Sequence, residues 1–208
     1  QLALQLPENT DPRTHELAHY WWQLSGQNSE RYMALIMQHF NTQQYAYTLT
    51  PPLLGESDTI DGFLFDAKQG FCAHYAGSFV FLMRLVGIPA RVVVGYQGGE
   101  WNEKGDYWVV RQYDAHAWVE VWQAGQGWVE LDPTAAVAPN RLTNGMDSLL
   151  QTPQGLLLQS FYDAKNMPWL KSITKQFDAL QYHWQRWIIG YDHHTQSAIL
   201  SRWFGQLS

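Results

Sequence analysis

The chain contains one cysteine, Cys72, set just after Gly70-Phe71 and ahead of an apolar run over residues 73–86 that closes at Gly87 and Pro89. That punctuation predicts a single helix with Cys72 in its first turn. The first turn of a helix carries unpaired N–H groups and the positive end of the dipole. Both favour thiolate over thiol, and the thiolate is the nucleophile. A free cysteine also serves as a small buried apolar residue, so position alone does not make Cys72 chemical. A histidine and a carboxylate from later in the chain strengthen the case. Residues 116–122 and 127–132 alternate in polarity and read as a hairpin turning at 123–126. Ala117, Val119 and Val121 share one strand face, and Val129 and Leu131 form the matching one. Joining those faces forces an even register. The opposite face then carries His116, Trp118, Glu120 and Trp122 against Trp128, Glu130 and Asp132. One even register opposes Glu120 to Glu130, which like charges disfavour. The alternative sets His116 opposite Asp132 with residues 123–125 as the loop, and it is the register predicted.

Cys72, His116 and Asp132 together describe nucleophilic catalysis. The imidazole takes the thiol proton, and the carboxylate fixes its tautomer and stabilises its charged form. The backbone N–H of Cys72 is a ready oxyanion donor. For a second donor Tyr45, Tyr47 and Gln69 all remain open.

The elements that must position these groups follow from capping and periodicity. Asp11-Pro12 predicts a helix start, with Asp11 as N-cap and Pro12 first in the helix, running past Leu17, Tyr20, Trp21 and Leu24. A second helix starts near Ser29 and carries Met33, Ile36, Met37 and Phe40 at helical spacing. Residues 45–50 read as a short strand ending at Pro51-Pro52, and residues 53–69 as a long connection with a helical turn near 60–65. After the cysteine helix, residues 90–96 are β-branched and predict a buried strand. A turn over 98–106 and a strand over 107–112 lead to the hairpin. Helices followed by a run of antiparallel strands give an α+β domain. Beyond it, residues 135–155 read as a loop and 156–164 as a helix. Pro168 opens a long helix with an apolar stripe through Leu170, Ile173, Phe177, Leu180, Trp184 and Trp187, and a last helix spans 195–204. Asp192-His193-His194 has no second ligand pair at metal spacing and is read as a turn.

Composition narrows the classes. With 208 residues, the chain suits one domain over 1–208 with a helical extension at about 156–208. A net charge of −6 and no basic run argue against a nucleic-acid partner. No apolar stretch reaches bilayer length, and the start, without initiator methionine or signal, suggests a mature product or an excised segment. Eleven tryptophans and eleven tyrosines suit a core, a peptide or glycan groove, or a membrane-proximal surface.

Gly70-x-Cys72-x-x-x-Ala76, Gly87-Ile88-Pro89-Ala90-Arg91, His116-Ala117-Trp118-Val119-Glu120-Val121 and Gly127-Trp128-x-x-Leu131-Asp132-Pro133-Thr134 together resemble the transglutaminase-like superfamily. The motif core covers about residues 60–138. The flanking helices are more narrowly similar to the extracytoplasmic domain of bacterial TgpA-type inner-membrane proteins. The resemblance implies a papain-like fold, acyl transfer through a thioester on Cys72, His116 and Asp132 completing the triad, and a periplasmic domain tethered by segments outside this chain. It implies a glutamine-bearing protein or peptide substrate with an amine acceptor. Nothing resembles the calcium sites of animal transglutaminases, so no metal or cofactor is expected, and the chain in isolation is expected to be a monomer. Hydrolysis by the same triad, as a protease or amidase on peptide or cell-wall peptide, stays open. So does an inactive module binding peptide or glycan through its aromatic residues. Trp118, Trp122 and Trp128 are read as packing, although Trp118 and Trp128 share a face with His116 and Asp132.

Overall fold

The structure, a computed structural model, describes residues 2–55 and 57–139. The helices and strands expected beyond residue 139, and the Asp192-His193-His194 turn, lie outside the described residues. The chain divides into two units, one of residues 1–98 with 111–149 and one of residues 99–110 with 150–208.

The first unit begins with α1 (Pro12–Leu24) and α2 (Ser29–Thr42). α2 starts as predicted, its cap being Asn28, whose side chain accepts the Arg31 N–H. α1 has the predicted span but not the predicted cap. Asp11 adopts a left-handed conformation (φ 56°) and makes no side-chain bond to its own helix. Its Oδ1 accepts instead from the N–H groups of Ile60 and Asp61, at 2.8 and 2.9 Å. Asp61 reciprocates, accepting from the N–H groups of Arg13 and Thr14 at 3.0 and 2.8 Å and from the Thr14 hydroxyl at 2.6 Å. Two helix starts far apart in sequence therefore cap each other.

The strand expected over 45–50 shortens to β1 (Ala46–Tyr47). The connection after it contains a turn of helix, α3 (Thr59–Asp61), continued by a π-turn, Gly62–Ala67. It ends in β2 (Gln69–Gly70), which pairs parallel with β1, a pairing the sequence did not suggest. β2 delivers the chain into α4 (Cys72–Leu85), the predicted cysteine helix. α4 is apolar nearly all round, with Tyr75, Phe79, Leu82 and Met83 fully buried, as a helix through the middle of a core must be. It closes in a Schellman arrangement. Ile88 N–H reaches the Met83 carbonyl, Gly87 N–H reaches that of Arg84, and Gly87 takes the left-handed φ of 79° that such an end requires.

β3 (Ala90–Tyr96) follows; it was expected to be buried, but only Ala90 is, while Val92, Val94 and Tyr96 are exposed. Within the second unit β4 (Glu100–Asn102) and β5 (Tyr107–Val109) form a hairpin with Trp101 opposite Trp108. β4 lies where only a turn was expected, and β5 stops short of residue 112. In the first unit β3 pairs antiparallel with β6 (Ala115–Gln123), and β6 with β7 (Gly127–Leu131), giving the order β3–β6–β7. Val119 and Val121 pack into the α4 core with Ala117, the apolar face the alternation predicted. The α+β class holds: in the first unit, helices and the antiparallel β3–β6–β7 sheet pack around the buried cysteine helix.

The hairpin keeps the predicted parity but not the predicted register. Glu120 faces Glu130, Trp122 faces Trp128, and the loop is 124–126. The like-charge cost is offset from the neighbouring strand. Arg91, opposite Glu120 on β3, binds its carboxylate at 2.6 Å and lays its guanidinium over the Trp128 ring at 4.3 Å. The Trp122–Trp128 edge-to-face pair adds a cross-strand aromatic contact.

Candidate active site

Cys72 is the first residue of α4, 8% exposed, as the sequence placed it. The start of the helix is held by His74, whose Nδ1 accepts the Phe71 N–H at 3.3 Å. That reach depends on Gly70: a Cβ there would lie 2.7 Å from the imidazole ring. Burial lowers the His74 pKa, keeping it a neutral cap.

Asp132 follows β7 and caps the 3₁₀ turn Pro133–Ala136, its Oδ1 accepting the Thr134 N–H at 2.9 Å. That bond fixes the carboxylate and leaves Oδ2 to meet His116 Nε2 at 2.5 Å. In the observed register His116 and Asp132 are diagonal rather than opposite. A diagonal spacing of roughly 7–8 Å between Cα atoms is within reach of the two side chains. Trp118 leans over Gly95, where a Cβ would meet its ring at 2.8 Å. Its ring also stacks on the His116 imidazole at 6.2 Å, nearly parallel. Trp118 is thus a packing residue of the site itself, whereas Trp122 and Trp128 pair with each other.

The imidazole is 2% exposed, and Nδ1 is buried without a hydrogen bond of its own. Burial pulls the ring toward neutrality, but the Asp132 carboxylate and the Cys72 sulfur outweigh it and push His116 up to about 9. Burial likewise favours the neutral thiol at Cys72. The His116 ring, the Ala117 backbone N–H and the Tyr47 hydroxyl reverse that, taking Cys72 below the ordinary thiol range. Opposite shifts on two facing groups describe a pair that trades a proton to become thiolate and imidazolium. All three predicted residues are brought together. The Ala117 N–H and the Tyr47 hydroxyl are additional groups that favour the thiolate. Tyr47 was among the candidates that composition and order could not rank. Among the described residues no group of three or more His, Cys, Asp or Glu side chains could hold a metal ion.

The site thus sets Cys72 at the start of a buried helix, with His116 and Asp132 supplied by the hairpin that follows. The Transglutaminase-like superfamily model matches residues 19–133, and the chain belongs to that superfamily. Over 207 residues it is 46% identical to the protein-glutamine gamma-glutamyltransferase of Pseudomonas aeruginosa, covering 98% of this chain and 31% of that protein. It is 34% identical over 138 residues to the uncharacterized protein YebA of Bacillus subtilis, covering 63% of this chain and 18% of YebA. The chain thus spans about a third or less of the curated relatives it matches. Among solved structures it resembles the periplasmic domain of TgpA from P. aeruginosa. The TM-score is 0.67 at 51% identity, over 70% of this chain and 50% of that one. For the form bound to ethylmercury it is 0.64 at 52% identity, over 67% and 50%. This likeness bears out the expected fold and the periplasmic placement. No described helix is long and apolar enough to cross a membrane.

Proposed function

We propose that the chain carries out cysteine-dependent acyl transfer of the protein-glutamine gamma-glutamyltransferase kind, with Cys72 as nucleophile, His116 as proton carrier and Asp132 as the group that orients and charges it. The observation that carries this reading is the His116 Nε2–Asp132 Oδ2 bond at 2.5 Å, with the thiol pKa lowered and the imidazole pKa raised, each in part by the presence of the other. The Cys72 thiolate attacks the carboxamide carbon of a glutamine side chain. The S–C bond forms and the carbonyl π pair moves to oxygen. As the intermediate collapses the C–N bond breaks, and the nitrogen leaves as ammonia with the proton of His116. A primary amine then attacks the thioester, gives a proton to His116, and the thiolate departs. Water in place of the amine gives hydrolysis through the same steps.

The acyl acceptor is therefore what an experiment must decide. The protein is incubated with a glutamine-containing protein and a labelled primary amine. The proposal expects label in the protein and ammonia released in step with it. Ammonia without label would assign hydrolysis, and neither product, with Cys72 intact, would assign a binding module. The proposal extends to a membrane tether supplied outside this chain, in keeping with its likeness to the periplasmic domain of TgpA, and to a monomeric isolated chain. An envelope-facing reporter fused to the full-length protein and a sedimentation measurement check these two points.

A further inference from the structure

A tetrahedral intermediate at Cys72 needs a donor besides the Cys72 backbone N–H, and the three sequence candidates separate by what they already do. The Tyr45 hydroxyl donates to the Leu64 carbonyl at 2.7 Å and meets His39 Nε2 at 3.1 Å, inside an aromatic cluster. Gln69 is exposed and serves through its backbone in β2. Tyr47 is placed differently. It pairs with Gly70, two residues before Cys72, and the bonds Ala46 N–H to Lys68 carbonyl and Thr48 N–H to Gly70 carbonyl, both 2.9 Å, fix that pairing on either side. Its ring lies parallel to that of Tyr75 at 6.5 Å. Tyr75 is three residues after Cys72 on α4, on the same helix face, and its hydroxyl donates back to the Ala46 carbonyl at 2.8 Å. Strand β1 and the first turn of α4 are locked together, which sets the Tyr47 ring beside the cysteine turn, and its hydroxyl is among the groups that lower the Cys72 pKa.

We propose that Tyr47 is the second oxyanion donor, its O–H and the Cys72 backbone N–H together holding the acyl oxygen as the carbonyl carbon is attacked. The inference rests on the reading of Cys72 as nucleophile and adds a catalytic residue to it. In the resting site the hydroxyl favours the thiolate, where the negative charge is. When the S–C bond forms, that charge moves through the carbonyl to oxygen, two bonds away. A phenolic hydrogen rotates about its C–O bond and follows the charge. Tyr47 keeps its proton throughout. The proton for the leaving nitrogen comes from His116.

Two thiol reagents separate this role from simple support of the thiolate. p-Nitrophenyl acetate acylates cysteine through a tetrahedral oxyanion, while iodoacetamide alkylates it by direct displacement with none. Both rates are read at their pH plateaus in wild type, Tyr47→Phe and Cys72→Ala. Tyr47→Phe keeps the ring on Tyr75 and loses only the donor. The proposal expects it to slow acylation about a hundredfold, the scale of losing one oxyanion donor, while the alkylation plateau stays within about twofold. An unchanged acylation rate overturns it, as does an equal fall in both rates, which would leave Tyr47 acting on the sulfur or on packing alone. Cys72→Ala keeps the two levels apart. Acylation at the wild-type rate in that variant would remove the nucleophile itself, whereas a dead Cys72→Ala beside an unaffected Tyr47→Phe would remove Tyr47 only.

Discussion

Two Asp–Pro pairs open helical turns in this molecule, and their carboxylates do opposite things. Asp132 is extended (φ −110°) and caps the turn it precedes with one oxygen, leaving the other for His116. Asp11 is left-handed, caps nothing of its own, and gives one oxygen to two N–H groups of the 60–61 turn. Its own N–H donates to Asp58 at 2.6 Å, and Asp61 caps α1 in its place. Asp11 is 3% exposed, while the Asp132 side chain keeps 19%. A carboxylate bound up in backbone N–H groups is a structural tie. One that satisfies its local turn with a single oxygen has the other free for chemistry. The comparison therefore predicts that damage at the first region appears in stability and damage at the second in turnover.

The largest effect should come from Cys72→Ala, which abolishes thioester formation and turnover. The side-chain volume lost is small, so the thermal midpoint should stay near that of wild type. His116→Ala should be nearly as severe, since it removes both the base and the imidazolium partner. Loss of turnover with the protein unfolded in either variant would blur the division between the two regions.

Asp132→Asn keeps the shape of the bond to His116 and loses its charge. The loss should be smaller than the ~10⁴ of a serine triad, on the order of 10², because a thiol is the better nucleophile near neutral pH. Asp132→Ala should be worse than Asn. The pH profile gives the sign. Against burial, Asp132 and the Cys72 sulfur together push His116 up to about 9, so wild-type kcat should fall above that pH as the imidazolium loses the proton it gives to the leaving nitrogen. In Asp132→Asn that alkaline limb should move to lower pH. A limb left in place would detach the carboxylate from the imidazole.

At the other region Asp61→Ala should leave the alkylation plateau of Cys72 intact and cost stability. It strips partners from the buried Thr14 hydroxyl and N–H and from the Arg13 N–H. At about 1–3 kcal/mol for each buried polar group left unsatisfied, a loss of roughly 2–4 kcal/mol in denaturant unfolding is expected, allowing for relaxation. The smallest effect tests the hairpin register. Glu130→Gln removes the repulsion opposite Glu120, and relief of a cross-strand like-charge pair should raise stability by a few tenths of a kcal/mol, ~1 at most. A destabilised Glu130→Gln would contradict the facing glutamates.

What the sequence disclosed divides along similar lines. The cysteine helix was legible because its signals are local: an apolar run, a glycine that can take a left-handed end, a proline beyond it. The face of the hairpin was legible because alternation fixes parity. The register was not, because Arg91 on a third strand neutralises the glutamate pair that counted against it. Gly95 leaves the room that the Trp118 ring occupies beside the His116 imidazole, a packing that no pattern in the sequence signals. Asp11 was misassigned for a similar reason, its true partners lying some fifty residues on. The parallel pairing of β1 with β2 joins two-residue strands too short to carry a pattern, so nothing in the sequence ranked Tyr47 above Tyr45 or Gln69.

The proposed chemistry stands most directly on the state of the Cys72 thiol. Its iodoacetamide alkylation rate, measured against pH in the folded protein, should stay near its plateau well below the ordinary thiol pKa of about 8.5, and the acid limb should move up in Asp132→Asn. A rate that follows an ordinary thiol pKa in the wild type, or a thiol that reacts only after unfolding, would contradict the thiolate–imidazolium pair.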